Sequence, residues 1–129
     1  MKYIAIVHKD ADSDYGITMP DFPGCFASAV SLEDISKSVQ EAVELWAENE
    51  NITPPIALEL SSVKKLEEAQ DAMFYLVDIS FDFLEDKVVP VNISMPIYMR
   101  NRIDKMAKVR GLSRSAFLLK AVESMAYAK

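Results

Sequence analysis

The chain has 129 residues with 14 Lys/Arg and 20 Asp/Glu, a net charge of −6, and half of its residues are apolar. That apolar share supplies a core and excludes general disorder, while the lone Cys25 excludes an internal disulfide framework and fits a reducing cytoplasm. There is no charged start followed by an apolar run, and no stretch approaches the roughly 18 apolar residues of a bilayer span, so a soluble cytoplasmic protein with no membrane role is expected.

Residues 3–8 form a short β-type run, apolar on both faces, which suits a central strand. Lys9, Asp10, Ala11, Asp12, Ser13 and Asp14 read as a hairpin loop before a second strand over 15–19. Pro20-Asp21-Phe22-Pro23-Gly24 must be irregular, because two prolines deny backbone donors and Gly24 permits positive φ. A third strand over 25–29 follows. Ser31 is expected to cap a helix with Glu33 and Asp34 in its first turn. Leu32, Ile35, Val39, Ala42, Val43 and Trp46 fall on one stripe of that helix, which is expected to end near Asn51, before Pro54-Pro55. A shorter, weakly patterned helix is placed over 62–70. In the strand over 73–81, Met73, Tyr75, Val77, Ile79 and Phe81 alternate with Asp78 and Ser80 on the other face. The pattern β-β-β-α-(α)-β predicts a sheet with helix cover on one face.

The charge sign changes at Phe83-Leu84-Glu85-Asp86. Residues 1–86 hold five Lys/Arg and eighteen Asp/Glu, a net of −13, whereas residues 87–129 hold nine Lys/Arg and two acids, a net of +7. A split this sharp points to two domains, of which only the second is attracted to phosphates. The boundaries are set at 1–82, a linker at 83–87, and 88–129. In the second domain Val89, Val91, Ile93 and Met95 share one face of a strand, with Pro90, Asn92 and Ser94 on the other. Pro96 suits the first position of a helix that stops at Gly111, with Ile103, Met106 and Ala107 as its stripe. Ser113 caps a second helix whose Phe117, Leu118, Ala121, Val122 and Met125 face inward. One strand and two helices are too few to bury a core alone, so the strand is expected to pair antiparallel with that of a second copy.

The run Val91-Asn92-Ile93-Ser94-Met95-Pro96, then Arg102-Ile103-Asp104, then Gly111-Leu112-Ser113-Arg114-Ser115-Ala116-Phe117 resembles a ribbon–helix–helix DNA-binding domain. The resemblance implies a homodimer whose paired strands enter the major groove of double-stranded operator DNA. It places Pro90, Asn92 and Ser94 outward, with Asn92 the strongest base reader because an amide makes two hydrogen bonds with adenine. Many relatives carry Arg or Lys where Ser94 stands, which raises the importance of several dimers on one operator. Lys87 and the helix start Ser113-Arg114-Ser115 complete the expected DNA-binding set. Arg114 is left either as a phosphate ligand or as a partner for a neighbouring acid.

The Pro-Asp-Phe-Pro-Gly-Cys run, between the first strand and the Ser31-started helix, resembles the HicB antitoxin family over roughly residues 1–80. The resemblance implies an α+β protein: a partial ribonuclease-H-like domain followed by the ribbon–helix–helix module. It also implies a HicA-like toxin ribonuclease as partner, repression of the operon encoding both, and an antitoxin that is not an enzyme. Toxin contacts are placed at Tyr15, Asp21, Phe22 and Pro23. Dimer against tetramer stays open, and the alternative is a ligand-sensing repressor. No catalytic residue, metal or cofactor is expected. Asp10, Asp12 and Asp14 read as turn residues, Cys25 as a small buried hydrophobe, and His8 and Cys25 are too few for a zinc site.

Overall fold

The computed structural model describes residues 1–48 and 50–126. They divide into two compact units, Met1–Asp86 and Lys87–Lys129.

In the first unit, strands β1 (Lys2–His8), β2 (Tyr15–Thr18) and β3 (Phe26–Ala29) form an antiparallel meander. A 3-10 turn, Leu32–Asp34, leads into helix α1 (Ile35–Trp46), followed by the single-turn helix α2 (Leu60–Val63) and strand β4 (Met73–Asp78). The sheet order is β3-β2-β1-β4, with β4 antiparallel to β1. β1 is central because apolar side chains on both of its faces can be buried only there. Tyr3, Ala5 and Val7 pack with Ile35, Val39 and Val43 of α1, whereas Ile6 on the other face packs with Val63 and Ala69.

That second contact corrects the expectation of helix cover on one face only. The expected helix over 62–70 is instead α2 followed by a 3-10 turn, Glu67–Ala69. Only Val63, Leu66 and Ala69 of this stretch pack inward, and spacing of three suits the tighter 3-10 winding. α1 stops at Trp46, short of Asn51, with the Ala47 N–H bonded to the Val43 carbonyl. Leu32 lies outside the buried stripe and is exposed, because the chain enters α1 through the 3-10 turn. Nor is Ser31 a side-chain cap: its hydroxyl donates to an Asp34 carboxylate oxygen at 2.9 Å. Met73, expected on the inner face of its strand, is exposed at the start of β4. After β4, the Gln40 side-chain amide bonds both the N–H and the carbonyl of Ser80, at 2.9 and 2.8 Å, standing in for a missing strand partner. Phe81 and Phe83 then pack against the main core.

In the second unit, α3 (Ile97–Val109) packs against α4 (Arg114–Ala126). Pro96 sits at the N-cap, one residue before the helical position expected for it. α3 ends in a Schellman motif: Gly111, at φ +68°, donates to Lys108, and Leu112 donates to Ala107. Ser113 caps α4 through a 3.1 Å bond from the Ala116 N–H to its hydroxyl. Among the described residues of this unit only Ile103 and Ala107 are buried, and Met106 of the expected stripe is exposed. On α4, Phe117 and Leu118 are half-buried, but Ala121, Val122 and Met125, expected to face inward, are exposed within this chain. Residues 88–95 form no strand within the chain, since a strand needs a ladder partner. Among the described residues no helix is long and apolar enough to cross a membrane.

Candidate functional site

The Pro-Asp-Phe-Pro-Gly-Cys loop is built around Phe22. Bonds from the Phe22 N–H to the Met19 carbonyl and from the Cys25 N–H to the Phe22 carbonyl fold it back on itself. Gly24 supplies the positive φ, +83°, that this path needs. The Phe22 ring is fully buried, with Tyr3 and Trp46 edge-on at centroid distances of 5.0 and 5.4 Å. This edge-to-face geometry suits the opposed charges of ring edge and face. Trp46 Nε1 donates to the Pro23 carbonyl at 2.8 Å, and Tyr3 Oη donates to the Pro55 carbonyl at 2.7 Å. Asp21 Oδ1 accepts the Leu58 N–H at 2.8 Å, and its Oδ2 is buried without a hydrogen-bond partner. Burial therefore pushes the Asp21 carboxyl above its ordinary pKa, and burial together with the Asp21 charge raises the Tyr3 hydroxyl.

Of the four residues at which toxin contacts are expected, Phe22 lies in the core, and Asp21 bonds the Leu58 N–H through one oxygen and buries the other. Pro23 is exposed, and Tyr15 is half-buried with the Lys9 ammonium 5.4 Å from its ring centre. Lys9 also donates to the Asp10 and Ser13 carbonyls, which fastens the hairpin turn holding Asp10, Asp12 and Asp14. Cys25 is buried, and burial pushes its thiol up to about 11, which leaves it protonated and unreactive near neutral pH.

The expected DNA-binding residues fall in two places. Lys87, Pro90, Asn92 and Ser94 are exposed along the irregular segment before α3, while Ser113, Arg114 and Ser115 are exposed at the start of α4. Of the two roles left open for Arg114, the acid partner is present in the free chain. Its Nε and Nη2 donate to the two Asp104 oxygens at 2.7 and 2.8 Å, a bidentate bridge from α4 to α3. That bond holds the Asp104 carboxyl below its ordinary pKa. Arg110 stacks over the Phe117 ring at 5.6 Å on the same helix pair. Sequence reasoning missed this stacking, and it missed Gln40, a polar residue at the edge of the α1 stripe.

The chain thus sets an acidic α+β unit ahead of a basic helix pair, with an apolar segment left uncovered between them in sequence. Residues 3–122 match the family model described as HicB-like antitoxin of bacterial toxin–antitoxin systems, and the chain belongs to that family. The crystal structure of the Burkholderia pseudomallei antitoxin HicB is similar over 95% of this chain and 96% of that one, at 28% identity and a TM-score of 0.55. A HicA3 and HicB3 toxin–antitoxin complex contains a chain of the same fold, matched over 62% of this chain and 99% of that one at 22% identity and a TM-score of 0.51. A UPF0150 protein of Archaeoglobus fulgidus is 40% identical over 48 residues, 37% of this chain and 70% of its own length. The membership expected from the Pro-Asp-Phe-Pro-Gly-Cys motif is thus shown.

Proposed function

We propose that the first unit binds and inhibits a HicA-like mRNA-cleaving toxin, and that the second dimerises as a ribbon–helix–helix module and represses its own operon. The protein performs no chemistry itself and needs no cofactor. In this division residues 1–82 form the toxin-neutralising domain, with a partial ribonuclease-H-like arrangement, 83–87 the linker and 88–129 the DNA-binding domain. A HicB3 of the same fold is seen with HicA3, which supports a toxin partner for the acidic unit.

The observation that carries the DNA-binding half is the poverty of the second unit's core. Among its described residues only Ile103 and Ala107 are buried, while Val88, Val89, Val91 and Ile93 are all more than half exposed. So small a core does not hold two helices in place, and four exposed β-branched residues have no ladder within the chain. A second copy answers both needs, by pairing strand with strand and covering Val122 and Met125. In that ribbon Asn92 faces the major groove as the main base reader, with Pro90 and Ser94 beside it. The Ser113–Ser115 helix start, with its free N–H groups, meets a phosphate. Because Arg114 is held by Asp104, its role is to lock the helix pair, and backbone N–H groups make the phosphate contact. Sedimentation equilibrium of the full chain at micromolar concentration tests the assembly. A dimer or a dimer of dimers is expected, and a folded monomer would overturn the ribbon.

A further inference from the structure

Among the described residues, one face of the sheet is covered over only half its width. The register sets Phe26, Thr18, Ile6 and Phe74 in one cross-strand row, and Ser28, Gly16 and His8 in the next. Directly opposed residues of antiparallel strands share a face, and here it is the face turned away from α1. At the β1–β4 end that face is closed: Ile6 is fully buried with Val63 and Ala69, and Phe74 packs against them. At the β2–β3 end the cover stops. Phe26 is 67% exposed on the edge strand, and Gly16 and Ser28 are exposed. Phe26 is thus an aromatic side chain left outside while the same row is buried two strands away.

We propose that this open β2–β3 half-face, anchored by Phe26, is where the toxin docks; the assignment rests on the reading that the first unit neutralises a toxin. Charge decides among the occupants. The unit that carries the face has a net charge of −13. A second copy would bring two such units together, and nucleic acid would be repelled. A basic ribonuclease, whose own surface must hold RNA phosphates, is drawn to the acidic surroundings while its apolar groups meet Phe26.

Gly16 offers a clean probe. Its φ is not in the left-handed region, and an added Cβ would meet only the His8 carbonyl oxygen, at 3.8 Å. Gly16→Lys therefore leaves the strand intact while standing a long cation on the open face. Phe26→Ala removes the anchor. In calorimetric titrations of the full chain with the purified HicA-like toxin, each variant is expected to raise Kd about tenfold or more, with melting temperature and sedimentation mass unchanged. Toxin affinity equal to wild type in both variants would overturn the surface while leaving the antitoxin reading intact. A change in sedimentation mass with unchanged toxin affinity would assign the face to a second copy, and so overturn the proposal. A wild-type chain that fails to bind the toxin would overturn the antitoxin reading itself.

Discussion

Asp21 pins residue 58 to the loop at residues 19–25, and it does so with a carboxylate half withdrawn from water. Because burial raises its pKa, the folded state holds a proton on Asp21 more tightly than the unfolded chain does. The linkage follows: this group's contribution to stability is fully present below the unfolded carboxylate pKa and is lost as pH rises through the folded value. At neutral pH the buried Oδ2 charge is therefore a net burden. Asp21→Asn keeps an oxygen for the Leu58 N–H and removes that charge. We expect the variant to melt at a higher temperature than wild type at pH 7, with the gap closing as pH falls to about 4, near the ordinary carboxylate pKa. Thermal unfolding followed by circular dichroism at both pH values checks this. A gap that widens in acid would show that Asp21 is stabilised by its charge rather than penalised for it.

At the scale of elements, the turn between α3 and α4 depends on the left-handed backbone of Gly111. Nothing lies within 4 Å of a Cβ built there, so Gly111→Ala meets no steric wall and isolates the backbone penalty. A left-handed conformation costs an L-residue about 1–2 kcal/mol, and that loss is expected in denaturant unfolding of the full chain. A loss near zero would mean that the two helices re-form around a different turn. This element was legible in advance, because a glycine after an apolar stripe and a serine two residues later are local signals. The α1 stripe, the four strands of the first unit and their turns were legible for the same reason. α2 was not, because one helical turn has too little periodicity to read, and its burial depends on Ile6, far away in sequence. The burial of Phe22 was not legible, because nothing local says that Tyr3 and Trp46 close around it. Arg114 was half legible: the sequence offered an acid or a phosphate, and only the packing of α4 on α3 put the Asp104 oxygens within 2.8 Å of its Nε and Nη2. The open half-face was invisible, because it depends on how far the cover from residues 60–69 extends across the sheet.

For the whole molecule, the reversal from −13 over residues 1–86 to +7 over residues 87–129 suits the two proposed roles, one for each sign of charge. Binding to operator DNA releases counterions from phosphates, so it must weaken steeply with salt. Binding of a basic toxin by the acidic unit gains mainly in association rate, which also falls with salt, while its dissociation rate is set by apolar contact. The two proposed activities should therefore separate both by salt and by truncation. Between about 50 and 200 mM salt, operator affinity of the full chain is expected to fall about tenfold or more, whereas the toxin dissociation rate stays nearly constant. A Met1–Asp86 fragment, which keeps the main core, should still bind toxin and lose operator binding altogether. Surface plasmon resonance with toxin and operator duplex on separate channels measures all four quantities. Operator binding by the fragment, or operator affinity indifferent to salt, would mean that the basic unit is not what holds DNA.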